Sequence, residues 1–165
     1  MKKVLGLDPG LASTGYGLVA IDGSKSRHLA HGVIRTTTDL SPGERLNTLF
    51  DELSLIVARF KPDEAAIEEI FFAKNSKTYL SVAQAKGVLL LALARHHVPV
   101  TEYSPLQIKR AVAGNGRAEK RQVQELVRLI LGLPEIPEPD HAADALAAAI
   151  CHGHRAQFRR IATGK

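Results

Sequence analysis

The fold is decided by residues 4–36, VLGLDPGLASTGYGLVAIDGSKSRHLAHGVIRT. An apolar run that starts at Val4 ends in a charge at Asp8, which is typical of a buried strand with a functional or turn residue at its end. A second strand is predicted over about 16–21 and, after the Asp22-Gly23 turn signal, a third over 28–36. Short turns between successive strands favour antiparallel pairing, so the chain is predicted to open with three antiparallel strands.

After these strands the apolar spacing changes to three and four residues. Between Leu46 and Phe60 it predicts an amphipathic helix that begins near Ser41-Pro42 and ends before Pro62. Strands and helices then alternate, with strands over 65–69 and 100–103 and helices over about 76–97, 105–113, 118–131 and from 139 onward. This order predicts an α/β fold with a mixed five-stranded sheet flanked by helices.

Length and composition indicate a single domain. The chain has 165 residues, 45% of them hydrophobic, which is enough for one sizeable core. We therefore expect one domain over 1–165, with about 161–165 as a loose tail. Cys151 is the only cysteine, and we found neither a signal peptide nor an apolar run of membrane length, so a cytoplasmic protein is expected. The formal net charge of +5 favours an anionic partner such as nucleic acid.

Two strand ends carry acidic residues. Asp8 closes an apolar strand, where a charge is costly unless it is paired or used. Asp8-Pro9-Gly10 is also a common turn tripeptide, so a plain turn role stays open. Glu68 and Glu69 end another strand and point to opposite faces of it. A glutamate at a strand end is often simply solvated.

The last helix begins with a third cluster of polar residues. His141 and Asp144 are three residues apart and therefore share one helix face. Asp140 is predicted to cap the helix or to complement its dipole. Asp144 lies among alanines on an apolar helix, where a carboxylate needs a partner and a metal ion is a suitable one.

Asp8, Glu68, His141 and Asp144 together would suit two divalent cations about 3.5–4 Å apart. Such a pair hydrolyses phosphodiesters, because one cation lowers the pKa of a water molecule and the other stabilises the leaving 3′-oxygen. The spacing alone does not establish that the four residues converge.

Several motifs along nearly the whole chain, taken together, are specific to one protein family. They lie at 5–10, 14–17, 66–75, 84–88, 107–109, 118–120 and 143–146. In sequence and in order they resemble the motifs of the RuvC family of Holliday-junction resolvases. The resemblance implies an RNase H-like fold and an endonuclease of DNA recombination and repair that cuts four-way junctions by paired symmetric nicks. It further implies two Mg²⁺ or Mn²⁺ ions per site and products with 5′-phosphate and 3′-hydroxyl ends.

The resemblance assigns the metal ligands residue by residue. Asp8, Glu68 and Asp144 match three catalytic ligands of the family. The fourth position lies three residues before Asp144, where many members have aspartate and this chain has His141. Asp140 is the rival for that position, because a shift of one residue along a helix rotates the side chain by about 100°. With an imidazole at the site, Mn²⁺ is predicted to support cutting better than Mg²⁺.

The resemblance also suggests residues that bind DNA. Lys109 and Lys120 match family lysines that contact or stabilise phosphates of the scissile strand, although most lysines are solvated surface residues. Phe71 matches an aromatic position of the family, and Phe72 follows it. Either ring could stack on a base left unpaired at the crossover, or it could belong to the core or to an interface.

Paired cuts at a four-way junction require two active sites, so a homodimer with a twofold axis is expected. The long helix over 76–97 is a candidate interface, with full burial in the monomer as the competing explanation. The resemblance further implies a partnership with the RuvA–RuvB branch-migration complex. Three alternatives stay open: the nucleotide-binding turn of sugar kinases and actin-like ATPases, a module that binds junctions without cutting them, and an RNase H-like nuclease that processes ribosomal RNA precursors.

Overall fold

The computed structural model describes residues 1–70 and 78–163, and it describes side chains as far as Arg155. Phe71 and Phe72 lie outside the described residues. Along the chain the elements are β1 (Lys2–Asp8), β2 (Ser13–Asp22), β3 (Lys25–Arg35), α1 (Pro42–Phe60), β4 (Glu64–Glu68), α2 (Tyr79–Arg95), β5 (Val100–Tyr103), α3 (Pro105–Ala113), α4 (Lys120–Leu131) and α5 (Asp140–Thr163).

The five strands form one mixed sheet in the order β3-β2-β1-β4-β5. The first three strands pair antiparallel, while β4 runs parallel to both β1 and β5. The predicted mixed sheet with an antiparallel start is therefore confirmed. Parallel pairing brings the carboxyl ends of β1, β4 and β5 to one edge of the sheet.

Helices cover both faces of the sheet. Leu5, Leu7 and Ile67 pack into a core with α1 and α2. On the opposite face, Val4 and Ala66 pack into a second core with α3, α4 and α5. Because side chains alternate along a strand, Asp8 and Glu68 share the face of Val4 and Ala66, which is the face that α5 covers.

Local sequence explains where helices begin and end. Ser41 before α1 and Ser104 before α3 each form a capping box, and a proline follows each serine in the first turn. Gly114 and Gly132 end α3 and α4 with positive φ values of 68° and 63°, a conformation that glycine adopts without steric cost.

Some element boundaries differ from the sequence-based predictions. β2 and β3 each begin three residues earlier than predicted. β3 begins at Lys25, which pairs with Asp22 beside the turn, whereas β2 begins at Ser13, which pairs with Arg35 at the far end of the two strands; a bulge interrupts the pairing at Leu18/Val19. Within the described residues α2 spans 79–95 rather than 76–97. The backbone of α5 continues to Thr163, where a loose tail after residue 160 was expected. No helix in the described ranges is both long and apolar enough to span a membrane.

Candidate active site

The carboxyl edge of the sheet brings two of the predicted acidic residues together. Asp8 is the last residue of β1 and Glu68 the last residue of β4. These strands are parallel neighbours in which Leu7 is in register with Ile67. Asp8 and Glu68 therefore follow one another across adjacent strands and point toward α5.

Glycines in β1 and β2 let the start of α5 lie directly on this edge. A Cβ atom added to Gly15 would lie 1.9 Å from the carbonyl oxygen of His141, and one added to Gly6 would lie 1.9 Å from that of Ala145. Neither strand position could carry a side chain without displacing the helix. The close approach places the first turns of α5, with His141 and Asp144, beside Asp8.

Each of these two α5 side chains contacts a charged partner. His141 Nδ1 lies 2.7 Å from Asp8 Oδ2, and the Asp8 side chain is only 15% exposed. When Asp8 is ionised the imidazole donates from Nδ1, which in the neutral ring leaves the lone pair on Nε2. Asp144 Oδ2 lies 3.2 Å from Lys120 Nζ.

The electrostatics of the site show a concentration of negative charge. Burial raises the pKa of Glu68 to about 7, and repulsion from Asp8 and Asp144 contributes to the shift. Burial likewise raises the pKa of Asp8, with a further contribution from Asp144, against the lowering effect of the His141 hydrogen bond. The charge of Asp144 therefore disfavours ionisation of both Asp8 and Glu68, and the charge of Asp8 disfavours ionisation of Glu68.

Two lysines face the carboxylates. Lys120 at the start of α4 and Lys109 on α3 both act to lower the pKa of Glu68. Burial lowers the pKa of Lys120, but the Coulombic attraction of Asp144 and its ion pairs outweigh burial, so its pKa lies above the ordinary value. The site therefore combines a partly buried acidic centre with cations at its border.

The donor set fits divalent cations in charge and in chemistry. Three carboxylates and one imidazole are ligands that Mg²⁺ and Mn²⁺ accept. Burial is the main cause of the raised pKa values of Asp8 and Glu68, and a cation would relieve the repulsion that adds to it. In the described part of the chain, no three His, Cys, Asp or Glu side chains are already arranged as a ligand cluster. Lys120 neutralises Asp144 in this arrangement, so ligation by Asp144 requires that it exchange this contact.

Comparison with known proteins identifies the family. The family model for the crossover junction endodeoxyribonuclease RuvC matches residues 4–152. The chain belongs to the RuvC family. A RuvC relative from Pelotomaculum thermopropionicum is 52% identical over 95% of this chain and 96% of its own length. One from Treponema denticola is 54% identical, covering 89% of this chain and 83% of the relative.

A solved structure of a RuvC protein supports the same assignment. T. thermophilus RuvC in complex with Holliday junction substrate matches with a TM-score of 0.92 and 39% identity, over 96% of this chain and 97% of that one. The predicted RuvC family membership and the RNase H-like fold are both confirmed.

The structure brings together six of the eight residues that the sequence analysis selected, while Phe71 and Phe72 lie outside the described residues. The six are Asp8, Glu68, His141, Asp144, Lys109 and Lys120. The side chain of Asp8 contacts His141 rather than forming a local turn. Asp140, the rival of His141, contacts Lys120 and Gln124 instead of Asp8.

Sequence analysis missed the residues that position this site. Gly6 and Gly15 were not selected, although a glycine within a strand is a signal for close approach of another backbone. Gln124, which is 6% exposed, was missed as well. Its amide donates to Asp140 Oδ1 across 3.0 Å, a contact between two helices that no local pattern announces.

The raised pKa of Glu68 predicts how the stability of the metal-free protein depends on pH. The pKa is about 7 in the folded chain against 4.5 for an ordinary glutamate, so the folded state holds more protons than the unfolded state between these values. The free energy of unfolding should therefore fall as pH rises through this window, by at most ~1.4 kcal/mol per pH unit.

Denaturant unfolding in the presence of a chelator, at several pH values between about 5 and 8, measures this dependence. Glu68→Gln should flatten the decline, since the amide does not titrate. Glu69→Gln, on the next residue, serves as the matched control and should leave the decline in place. Equal pH dependence for wild type and Glu68→Gln would contradict the prediction.

Proposed function

We propose that this RuvC-family chain is a structure-selective endonuclease that resolves four-way DNA junctions by paired symmetric nicks, in homologous recombination and DNA repair. The observation that carries this function is the convergence of Asp8, Glu68, His141 and Asp144 at one sheet edge, in a chain whose relatives are crossover junction endodeoxyribonucleases. The solved relative is described in complex with Holliday junction substrate, and its fold is shared over nearly the full length.

The reaction is hydrolysis of a phosphodiester. A water oxygen attacks phosphorus and the bond to the 3′-oxygen breaks. The attacking water loses a proton to solvent and the leaving 3′-oxygen takes a proton from solvent, so that the products are a 5′-phosphate and a 3′-hydroxyl. Asp8, Glu68, His141 and Asp144 would hold two divalent cations. Bound cations supply the Lewis acidity that lowers the pKa of water and stabilises the charge on the leaving oxygen.

The protein's own contribution is orientation and charge. Asp8 accepts a hydrogen bond from Nδ1 of His141 and so holds the ring in one orientation. The other ring nitrogen, Nε2, then points away from Asp8 with a lone pair that suits metal ligation. We assign His141 rather than Asp140 as the fourth ligand, because His141 contacts Asp8 and Asp140 does not. Lys109 and Lys120 are assigned to phosphates of the scissile strand, since both lie close enough to influence Glu68.

Cleavage of a mobile four-way junction, compared with a linear duplex of the same sequence, tests the function. Wild-type protein with Mg²⁺ or Mn²⁺ should nick the junction in two symmetric strands and leave the duplex intact, and chelation should stop the reaction. Binding of junctions without any cutting would favour a non-catalytic module. Cutting of structured RNA instead of junction DNA would favour an RNase H-like nuclease with another substrate.

The imidazole at the fourth position predicts a preference between metals. His141 removes one negative charge relative to aspartate and offers nitrogen, which Mn²⁺ accepts more readily than Mg²⁺ does. We expect faster junction cutting with Mn²⁺ at saturating concentrations of each metal. His141→Asp should shift the ratio of the two rates toward Mg²⁺. Equal or faster cutting by wild type with Mg²⁺ would contradict this assignment.

A homodimer would supply the two active sites that paired nicks require. In α2, Ala85, Leu89 and Leu93 are buried within the protein, whereas Leu80 and Leu91 are 69% and 54% exposed. Full burial in the monomer therefore does not explain why the second half of the helix is apolar around much of its circumference. Five exposed residues of α2 recur at spacings of four and three, the repeat of a helix–helix seam: Leu80, Gln84, Gly87, Leu91 and Ala94. Arg95 is also exposed, at the end of the helix.

We expect Leu91→Glu to convert the dimer to a monomer, because the substitution would bury two unpaired like charges against each other across the twofold axis. Sedimentation equilibrium measures the mass, and junction cutting should lose its paired nicks. Leu129→Glu is the matched control, since Leu129 is 58% exposed on α4, away from the α2 seam. A Leu91→Glu protein that stays dimeric would exclude this interface.

Partnership with a RuvA–RuvB complex stays a prediction.

A further inference from the structure

Four side chains from two helices form a continuous row of contacts beside the acidic centre, from Asp144 through Lys120 and Asp140 to Gln124. Lys120 and Gln124 lie one turn apart on α4, and Asp140 and Asp144 lie one turn apart on α5. Lys120 Nζ is 3.1 Å from Asp140 Oδ2 and 3.2 Å from Asp144 Oδ2. Gln124 Nε2 donates to Asp140 Oδ1 across 3.0 Å. Lys120 is therefore shared by two carboxylates, and Gln124 holds one of them, Asp140.

The two carboxylates differ in their relation to the acidic centre. Asp144 raises the pKa values of both Asp8 and Glu68, so it belongs electrostatically to the centre. The Asp140 side chain is 66% exposed, and it is not among the main influences on either group. Asp140 thus faces Lys120 from the border of the site and does not share the position of the other carboxylates.

Lys120 and a metal ion compete for Asp144. When Asp144 acts as a ligand, Lys120 loses one of its two anionic partners and keeps Asp140. Without Asp140, Lys120 would lose both partners. An exposed ion pair is ordinarily weak because both side chains are mobile. Gln124, which is almost fully buried, reduces that mobility for Asp140.

We propose that Asp140, held by Gln124, is a positioning residue that retains Lys120 at the border of the site and so releases Asp144 for metal ligation. The inference rests on the proposed function, in that it takes Asp144 as a ligand and Lys120 as a phosphate-stabilising cation. It assigns Asp140 a role through Lys120 and none as a ligand.

Metal binding to the free protein provides a test that does not depend on cleavage. Asp140→Asn retains an oxygen for Gln124 but removes the charge that holds Lys120. Calorimetric titration with Mn²⁺ should give a dissociation constant about two- to fivefold higher than for wild type, the range expected for loss of one ion pair. In a Lys120→Met background the same substitution should produce no greater change than Glu135→Gln, a control that removes an exposed carboxylate from the linker before α5.

Each result of this double-mutant comparison supports or excludes the proposal. Equal loss of Mn²⁺ affinity in both backgrounds would make Asp140 a ligand itself and overturn the positioning role. Unchanged affinity in both backgrounds would also overturn it. Asp140→Glu should restore wild-type affinity and the single-turnover cutting rate, which a purely structural defect would not allow. Failure of wild type to cut junctions would refute the proposed function and would leave the Asp140–Lys120 coupling measurable.

Discussion

Asp8→Asn is expected to abolish junction cutting while junction binding is retained. Asp8 is the last residue of β1 and faces α5, where its carboxylate contacts His141 and its negative charge repels those of Glu68 and Asp144. Asparagine has the same shape but is a poorer ligand and lacks the charge. We expect the single-turnover rate to fall on the order of 1000-fold, equivalent to about 4 kcal/mol of transition-state stabilisation.

The same substitution should not destabilise the metal-free protein. Burial raises the pKa of Asp8, so its ionised form is already disfavoured in the fold. A neutral amide should therefore leave the free energy of unfolding equal or higher at neutral pH. Asp22→Asn, at the exposed end of β2, is the matched control and should cut at the wild-type rate. An Asp8→Asn protein that retained a tenth or more of wild-type activity would remove Asp8 from the proposed ligand set.

Gly15→Ala is expected to destabilise the fold strongly. The added Cβ would lie 1.9 Å from the carbonyl oxygen of His141 and 2.3 Å from its carbonyl carbon. Backbone atoms of α5 cannot rotate away as a side chain can, so the helix must lift from β2. We expect a destabilisation of about 3 kcal/mol or more, measured by denaturant unfolding.

Displacement of α5 should also reduce catalysis in the molecules that stay folded. His141 and Asp144 move with the helix, and a misplacement of about 1 Å can cost on the order of 100-fold in rate. Cutting should be measured at a temperature where circular dichroism shows the variant to be folded. Gly43→Ala is the matched control, because nothing lies within 4 Å of its Cβ position and alanine favours the helix. Wild-type cutting by folded Gly15→Ala would show that the close contact does not position the site.

Much of the architecture could be predicted because it is encoded locally. Periods of two and of three to four residues specify strands and helices, and the Ser41-Pro42 pair indicated the start of α1, which a capping box explains. Family motifs carried the identity of the candidate ligands. The exact start of β2 and the bulge in its pairing with β3 depend on contacts between strands, so the pattern of one strand could not supply them.

The sequence by itself determined the α/β class, the order of elements, the family and the set of residues from which the site is built. The tertiary structure decided which of them meet: Asp8 and His141 are 133 positions apart and touch only because glycines let α5 lie against β1 and β2. It also separated His141, which contacts Asp8, from Asp140, which contacts Lys120 and Gln124. Adjacent residues on a helix differ by about 100° in direction, and only the packing of that helix on the sheet determines which of the two faces the centre.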